Sequence, residues 1–189
     1  MSGLSFTPET HTYSLGGRDL VSVTQAMCES GLVDTTWYDQ WGRERGSAIH
    51  KAIQLYEEDD LDLESVDPNV MGYFDAYLKF KDEKKWRPME TELHVFDPVR
   101  GFAGTLDAIG YLKNRMTLVD YKTGPLTRQV GIQLSGYAIG LKVAHSNTIV
   151  QGLVGVQLKH DGTYKIKSYP FEPAVFLAAL EISRWMRNN

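Results

Sequence analysis

Cysteine is almost missing from this chain: Cys28 is the only one in 189 residues. One thiol closes no internal disulfide and cannot build a four-cysteine zinc or iron–sulfur centre. Long apolar runs are missing too. None approaches the roughly 18 residues that a membrane helix needs, so no membrane partner is expected. The opening Met1-Ser2-Gly3-Leu4-Ser5 has neither the basic nor the apolar region of a signal peptide. There is no Gly-x-x-x-x-Gly-Lys-[Ser/Thr] phosphate loop, which sets aside a helicase or ATPase. There is no Gly-x-Ser-x-Gly elbow, which sets aside a serine hydrolase of that type. Repeats and low-complexity tracts are also lacking. The expectation is a soluble, intracellular (cytoplasmic) protein with one domain spanning 1–189.

What is present is ordinary in amount but uneven in place. The chain is 42% hydrophobic and its net charge of −4 argues against a uniformly basic nucleic-acid binder. Residues 1–100 carry a net −9 and residues 101–189 a net +5. A basic half beside an acidic one is compatible with a local polyanion-binding surface. The run Glu57-Glu58-Asp59-Asp60 reads more simply as a solvated charge cluster.

Periodicity divides the chain into elements. Tyr13 and Leu15 alternate before Gly16-Gly17, and Leu20, Val21 and Val23 follow, which predicts a β-hairpin. Thr24 starts a short helix that Gly31 ends. Residues 35–58 read as helix, with Trp37, Trp41, Ile49, Ile53 and Tyr56 apolar and a break allowed near Gly42–Gly46. Asp67-Pro68 is a helix start, an N-cap followed by proline at the first position, and that helix runs to about Lys84. Residues 89–96, 102–112 and 116–122 alternate as a three-stranded meander. Helical spacing returns at 126–143, a second hairpin spans 148–158 and 163–169, and residues 172–187 form a last helix. The order predicts an α/β or α+β sandwich with a mixed central sheet, with residues 1–34 as hairpin and short helix and 35–189 as the core.

The chemistry concentrates in Gly104-Thr105-Leu106-Asp107 and Leu118-Val119-Asp120-Tyr121-Lys122-Thr123-Gly124. Asp120 and Lys122 are two apart on a strand and leave the same face. A turn at 113–115 brings Asp107 opposite Asp120 across the ladder. Two adjoining carboxylates repel unless a positive group lies between them. A divalent cation such as magnesium, held by carboxylates, water and substrate phosphate, supplies one. The bland reading is a surface Asp–Lys pair worth a fraction of a kcal/mol. Its company argues otherwise. Leu118 and Val119 set the pair beside a core, and Gln133 and Tyr137 share one face of the next helix. His50 stands four residues after Gly46 on the second helix. It is either a packed histidine or a metal ligand whose imidazole would admit manganese as well as magnesium.

In order, Gly46-x-x-x-His50, Gly104-x-x-Asp107, Asp120-Tyr121-Lys122-Thr123 and Gln133-x-x-x-Tyr137 resemble the PD-(D/E)XK nuclease superfamily. The likeness is closest to its RecB-like exonuclease branch, which includes small phage-type members. It covers roughly residues 42–140, and His11-Thr12-Tyr13 with Val21-Ser22-Val23-Thr24-Gln25 resembles the opening of phage-type members. The resemblance implies a restriction-endonuclease-like core. It implies metal binding by Asp107, Asp120, His50 and the main-chain carbonyl of Tyr121. Lys122 would position or activate water, and Gln133, Tyr137, Thr123 and Arg128 would face substrate. Glu92 could match an upstream acidic residue of some members, although Glu90 lies two residues away on the same predicted face. The sequence departs from the family name at Leu106, where proline stands, and Cys28 alone cannot hold the iron–sulfur cluster of some CRISPR-associated relatives.

The expectation is therefore a Mg2+- or Mn2+-dependent deoxyribonuclease, an exonuclease leaving 5′-phosphates, acting in DNA recombination, repair or degradation. Its partners would be DNA and a single-strand annealing or single-strand-binding protein. The rivals are a structure-specific endonuclease and a nucleic-acid-binding module that does not cut. Lys113, Arg115, Arg128, Lys142, Lys159, Lys165 and Lys167 are candidates to follow a DNA backbone, and Trp37 and Trp41 to stack on an unpaired base. Oligomeric state is left open.

Overall fold

The computed structural model describes residues 3–8, 10, 12–33 and 40–189, with Gln40, Trp41 and Arg43 described by backbone alone. Trp37, His11 and the side chain of Trp41 thus lie outside the described residues. In chain order the elements are β1 (Leu4–Thr7), β2 (Thr12–Leu15), β3 (Arg18–Ser22), α1 (Val23–Glu29) and α2 (Gln40–Glu57). They continue with α3 (Pro68–Lys84), β4 (Arg87–Asp97), β5 (Phe102–Leu112), β6 (Arg115–Lys122), α4 (Arg128–Ala144), β7 (Gly152–Leu158), β8 (Tyr164–Tyr169) and α5 (Pro173–Asn188). A short 3-10 turn, Leu63–Ser65, precedes α3.

Local chemistry sets the boundaries. Ser22 and Gln25 form a reciprocal capping box that starts α1. Asp67 caps α3 by accepting from the Asn69 N–H, with Pro68 at the first helical position, and Lys85 closes that helix at φ 53°. Lys113 and Asn114 both take positive φ, 50° and 62°, in the two-residue β5–β6 turn. Two readings change. Leu4–Thr7 adds a strand ahead of the hairpin, pairing antiparallel with β2. The break allowed near Gly42–Gly46 does not occur, and α2 runs unbroken across both glycines.

The strands form one mixed sheet, helices covering it, in the order β1-β2-β3-β5-β6-β7-β8 with β4 also on β5. This is the restriction-endonuclease-like arrangement. Strand β4 runs along one edge of β5 from Asp97↔Phe102 to Arg87↔Tyr111. The other edge of β5 is shared. Strand β3 pairs there in parallel at Phe102–Ala103, and β6 pairs antiparallel at Ala108–Leu112. Between them, Gly104–Asp107 have no ladder on that edge. Strand β6 then pairs in parallel with β7, and β7 antiparallel with β8.

The two faces of the sheet hold separate cores. Leu106, Ile109, Leu118 and Leu153 pack with α1, α4 and α5 through Met27, Leu134, Leu141, Phe176 and Leu180. Ala108, Val119, Tyr121, Val154 and Val156 pack with α2 and α3 through Ile49, Ile53, Phe74, Tyr77 and Phe80. The second core contains a polar network. Trp86 Nε1 donates to Tyr121 Oη at 3.0 Å, and Tyr77 Oη and Lys81 Nζ donate to Glu57 at 2.5 and 2.6 Å.

Helix α3 touches the β7–β8 turn closely enough to require glycine. A Cβ at Gly72 would stand 1.9 Å from the main-chain oxygen of His160. A backbone neighbour cannot swing aside as a side chain would, so Gly72→Ala should destabilise the protein by about 1–3 kcal/mol. A urea melt with an unshifted midpoint would refute this packing.

Candidate active site

Four elements meet at the gap on the edge of β5. The β5–β6 ladder ends at Ala108–Val119. Beyond it the Tyr121 N–H donates to Asp107 Oδ2 at 2.7 Å. The Tyr121 carbonyl lies 3.1 Å from His50 Nε2. An Nε2–H donating to that carbonyl leaves Nδ1 as the free nitrogen, and Nδ1 points into the gap. It stands 3.6 Å from both Glu92 Oε1 and Asp107 Oδ1. Ligand atoms of His50, Glu92 and Asp107 all lie within 4.8 Å of one another.

Asp120 and Lys122 form the adjoining part. Lys122 Nζ donates to Asp120 Oδ1 at 2.9 Å and approaches Oδ2 at 2.8 Å. The second approach has the distance of an ion pair but not the angle of a hydrogen bond, so Oδ2 is buried without a hydrogen-bond partner. Gln133 Nε2 donates to Tyr137 Oη at 2.9 Å across one turn of α4. Tyr137 is pressed so closely on β5 that a Cβ at Gly104 would meet its ring at 2.7 Å.

These groups line a cleft of about 560 Å3, whose walls also include Tyr13, Ser22, Ser47, Lys51 and Thr105. The sequence reading missed this second wall, which Tyr13 shares with Thr105 through a 2.7 Å hydrogen bond; His94 Nδ1 lies 2.8 Å from the same Thr105 hydroxyl. Of the expected site residues, His50, Asp107, Lys122, Gln133 and Tyr137 line the cleft, with Asp120 and Tyr121 directly behind. Thr123 and Arg128 are not among its lining residues. Glu92 moves to the centre, while Glu90 is exposed on β4. The expected shared face of these two glutamates fails for a local reason. Glu92 itself takes φ 50°, which breaks the alternation at that residue.

The electrostatics follow from burial and crowding. Burial opposes charge on His50, but the adjacent Asp107 and Glu92 carboxylates outweigh it and hold the imidazole up at about 9. Burial raises Asp120 to about 6, aided by repulsion from Asp107 and opposed by Lys122. Asp107 is likewise raised by burial, against the pull of His50 and Lys122. Lys122 loses to burial but gains more from Asp120 and Asp107, so its ammonium is held above the usual lysine range.

This donor set fits a divalent metal. Oxygen and nitrogen ligands about 2.1 Å from a common ion stand roughly 3–4 Å apart, which matches the 3.6 Å separations here. Asp120 Oδ2, ion-paired with Lys122 but without a hydrogen-bond donor, has room for a further partner. Tyr121, holding His50 through its carbonyl, would fix the ring as outer partners of metal-bound histidines do.

The comparisons with known proteins bear on the fold. The chain superposes on a "Putative exonuclease" from Eubacterium rectale with a TM-score of 0.55, over 89% of this chain and 79% of that one, at 11% identity. Two structures of an alkaline exonuclease from Laribacter hongkongensis match over 89% of this chain and 87–92% of that one, at 12–13% identity and a TM-score of 0.43–0.44. At these identities the likeness to the first shows a shared fold, and the second is too distant to add to it. No family model and no curated protein matches the chain.

Two outcomes follow from the crowding. Without metal, stability should fall as pH rises, because each raised pKa favours the protonated form in the folded state. The Asp120 penalty is absent below its unfolded value near 4 and complete above about 6. The His50 contribution is complete below its unfolded value near 6.5 and lost above about 9. Urea midpoints in chelator should trace both limbs, and His50→Gln should flatten the upper one; a midpoint that climbs from pH 5 to 9 contradicts this. Secondly, above about pH 9, where His50 is neutral and its attraction to Glu92 is gone, Glu92→Gly should stabilise the metal-free protein by about 1 kcal/mol by releasing a positive-φ side chain. The same change should weaken manganese binding at least about tenfold, and titration calorimetry showing unchanged affinity would remove Glu92 from the site.

Proposed function

We propose that this chain is a metal-dependent deoxyribonuclease of the RecB-like branch of the PD-(D/E)XK superfamily, acting as an exonuclease from a single domain spanning 1–189. The observation that carries this reading is the convergence of His50, Glu92 and Asp107 with the Asp120–Lys122 pair at one cleft. The fold shared with the Eubacterium rectale structure, whose name is that of an exonuclease, supports it. DNA is the substrate on this reading, within recombination, repair or degradation.

His50, Glu92, Asp107 and Asp120 would hold Mg2+ or Mn2+. The bound cation would lower the pKa of water and neutralise phosphate charge. Lys122 is held charged by its two aspartates. It therefore serves as a donor that orients the attacking water and steadies a phosphate oxygen, rather than as a base that takes the proton. Gln133, hydrogen-bonded to Tyr137, keeps that phenol on the cleft wall beside Lys122 and offers its own amide to the substrate backbone. Attack in line with the 3′-oxygen leaves a 5′-phosphate. A partner that anneals or coats single strands suits such a product.

End-labelled linear single- and double-stranded DNA and closed circular DNA, each with magnesium, manganese or chelator, test the proposal. Linear DNA should be lost only with metal, with circles spared. Asp107→Asn, Asp120→Asn and Lys122→Met should each lower cleavage at least about a hundredfold with the fold retained by circular dichroism. Nicked circles would make the enzyme an endonuclease. DNA retention without cleavage in either metal would make it a binding module, and full activity in Lys122→Met would displace that residue from the chemistry.

A further inference from the structure

Helix α5 buries one face and leaves an apolar one bare. Phe176, Ala179, Leu180 and Ser183 are buried against the core, and Ser183 and Arg187 both bond Glu29 of α1. Beside that face run Phe171, Val175, Ala178, Ile182, Trp185 and Met186. The five large ones are 54, 38, 47, 66 and 53% exposed, and Ala178 is exposed as well. From Val175 to Met186 they fall, at 3.6 residues per turn, on one continuous stripe roughly 100° wide, and Phe171 lies two residues ahead of the helix. Core packing already has its own face, so this second one is surplus to the fold of a single chain.

We propose that the stripe is a two-fold interface between two copies of this chain, with their α5 helices antiparallel. The arrangement of sizes argues for a second copy. Phe171 and Trp185 lie seven residues either side of Ala178, and Val175 and Ile182 lie three before and four after it. An isologous contact must complement itself. Reversing this helix about Ala178 sets Val175 against Ile182 and turns Trp185 toward the segment that carries Phe171 just ahead of the other helix, with the smallest side chain at the axis, where backbones approach most closely. Glu172 stands at the start of α5, while Arg184 and Arg187 lie in its last turns. Both arginines are already paired within the chain, Arg184 with Glu181 and Arg187 with Glu29, so direction rests on the helix dipoles, which antiparallel pairing opposes. The area is also of the right order. The exposed fractions leave roughly 500 Å2 of apolar surface, about two-thirds of the ~800 Å2 that each partner contributes to a standard interface. The polar rim supplies the remainder.

Sedimentation equilibrium of the full chain across a range of concentrations tests this without reference to cleavage, so its failure and that of the nuclease reading are separable. The wild type should reach twice the chain mass, and Ile182→Glu with Trp185→Glu should raise the dissociation constant more than about tenfold with an unchanged circular dichroism spectrum. Should that variant fold poorly, Ala178→Cys in a Cys28→Ser background gives a second reading. Mild oxidation should join two chains at the axis, as the close approach of two Ala178 positions requires. A wild type that stays monomeric overturns the proposal, as does an oligomer that the double variant leaves intact. Absence of cross-linking in a protein that does dimerise would place the interface elsewhere, and a stripe covered only by a different protein would do the same.

Discussion

The peptide group of Tyr121 is the point from which the candidate site hangs. Where β5 and β6 part, a buried N–H and a buried carbonyl need partners that the ladder no longer offers. Asp107 accepts from the first and His50 meets the second. Each contact settles a functional orientation. The carboxylate of Asp107 keeps one oxygen free toward the gap, and the His50 ring is turned so that Nδ1 faces Asp107 and Glu92. The Tyr121 ring, on the opposite side of the strand from Asp120 and Lys122, is locked by Trp86 in the core under α2 and α3. A side chain buried in the core thus holds the backbone that aligns two groups of the candidate site.

That dependence explains why the site sits at a seam between cores. His50 comes from the α2 side of the sheet, and Gln133 and Tyr137 from the α4 side. A continuous sheet would keep them apart. They reach a common cleft because Gly104–Asp107 have β4 on one edge and no ladder on the other, with β3 and β6 leaving β5 in opposite directions. Residues separated widely in sequence become neighbours through one local absence of strand pairing.

Much of this was legible in the sequence because it rests on short-range rules. The Asp120–Lys122 spacing, the facing of Asp107 across a hairpin of known turn, and the Gln133–Tyr137 pair all follow from fixed periods of strand and helix. The capped start at Asp67-Pro68 is local chemistry of the same kind. The misses have a common origin in tertiary packing that overrides those periods. Strict alternation puts Glu90 and Glu92 on one face, and the positive φ of Glu92 breaks that alternation. Gly42 and Gly46 each weaken a helix by about 1 kcal/mol relative to alanine, yet α2 continues through them. Tyr13 carries no motif that predicts its bond to Thr105, 92 residues away.

The strain at the centre has a direction. Glu92 holds an unfavourable backbone conformation beside Asp107, whose carboxyl burial already disfavours as an anion, and Asp120 keeps a buried oxygen that Lys122 does not satisfy. A fold selected for stability alone would shed each of these, since an apolar substitute in such a place is often neutral or stabilising. Proteins keep strained and underpaired groups where the surrounding structure over-determines them and something outside the chain completes them. Here the missing complement is positive, must reach nitrogen and oxygen together, and must lie within bonding distance of groups about 3.6 Å apart. Lys122 meets the first requirement and not the second, because its ammonium is engaged with Asp120 rather than with His50 and Glu92. A divalent cation would meet all three, and relief of this crowding would then add to its binding free energy.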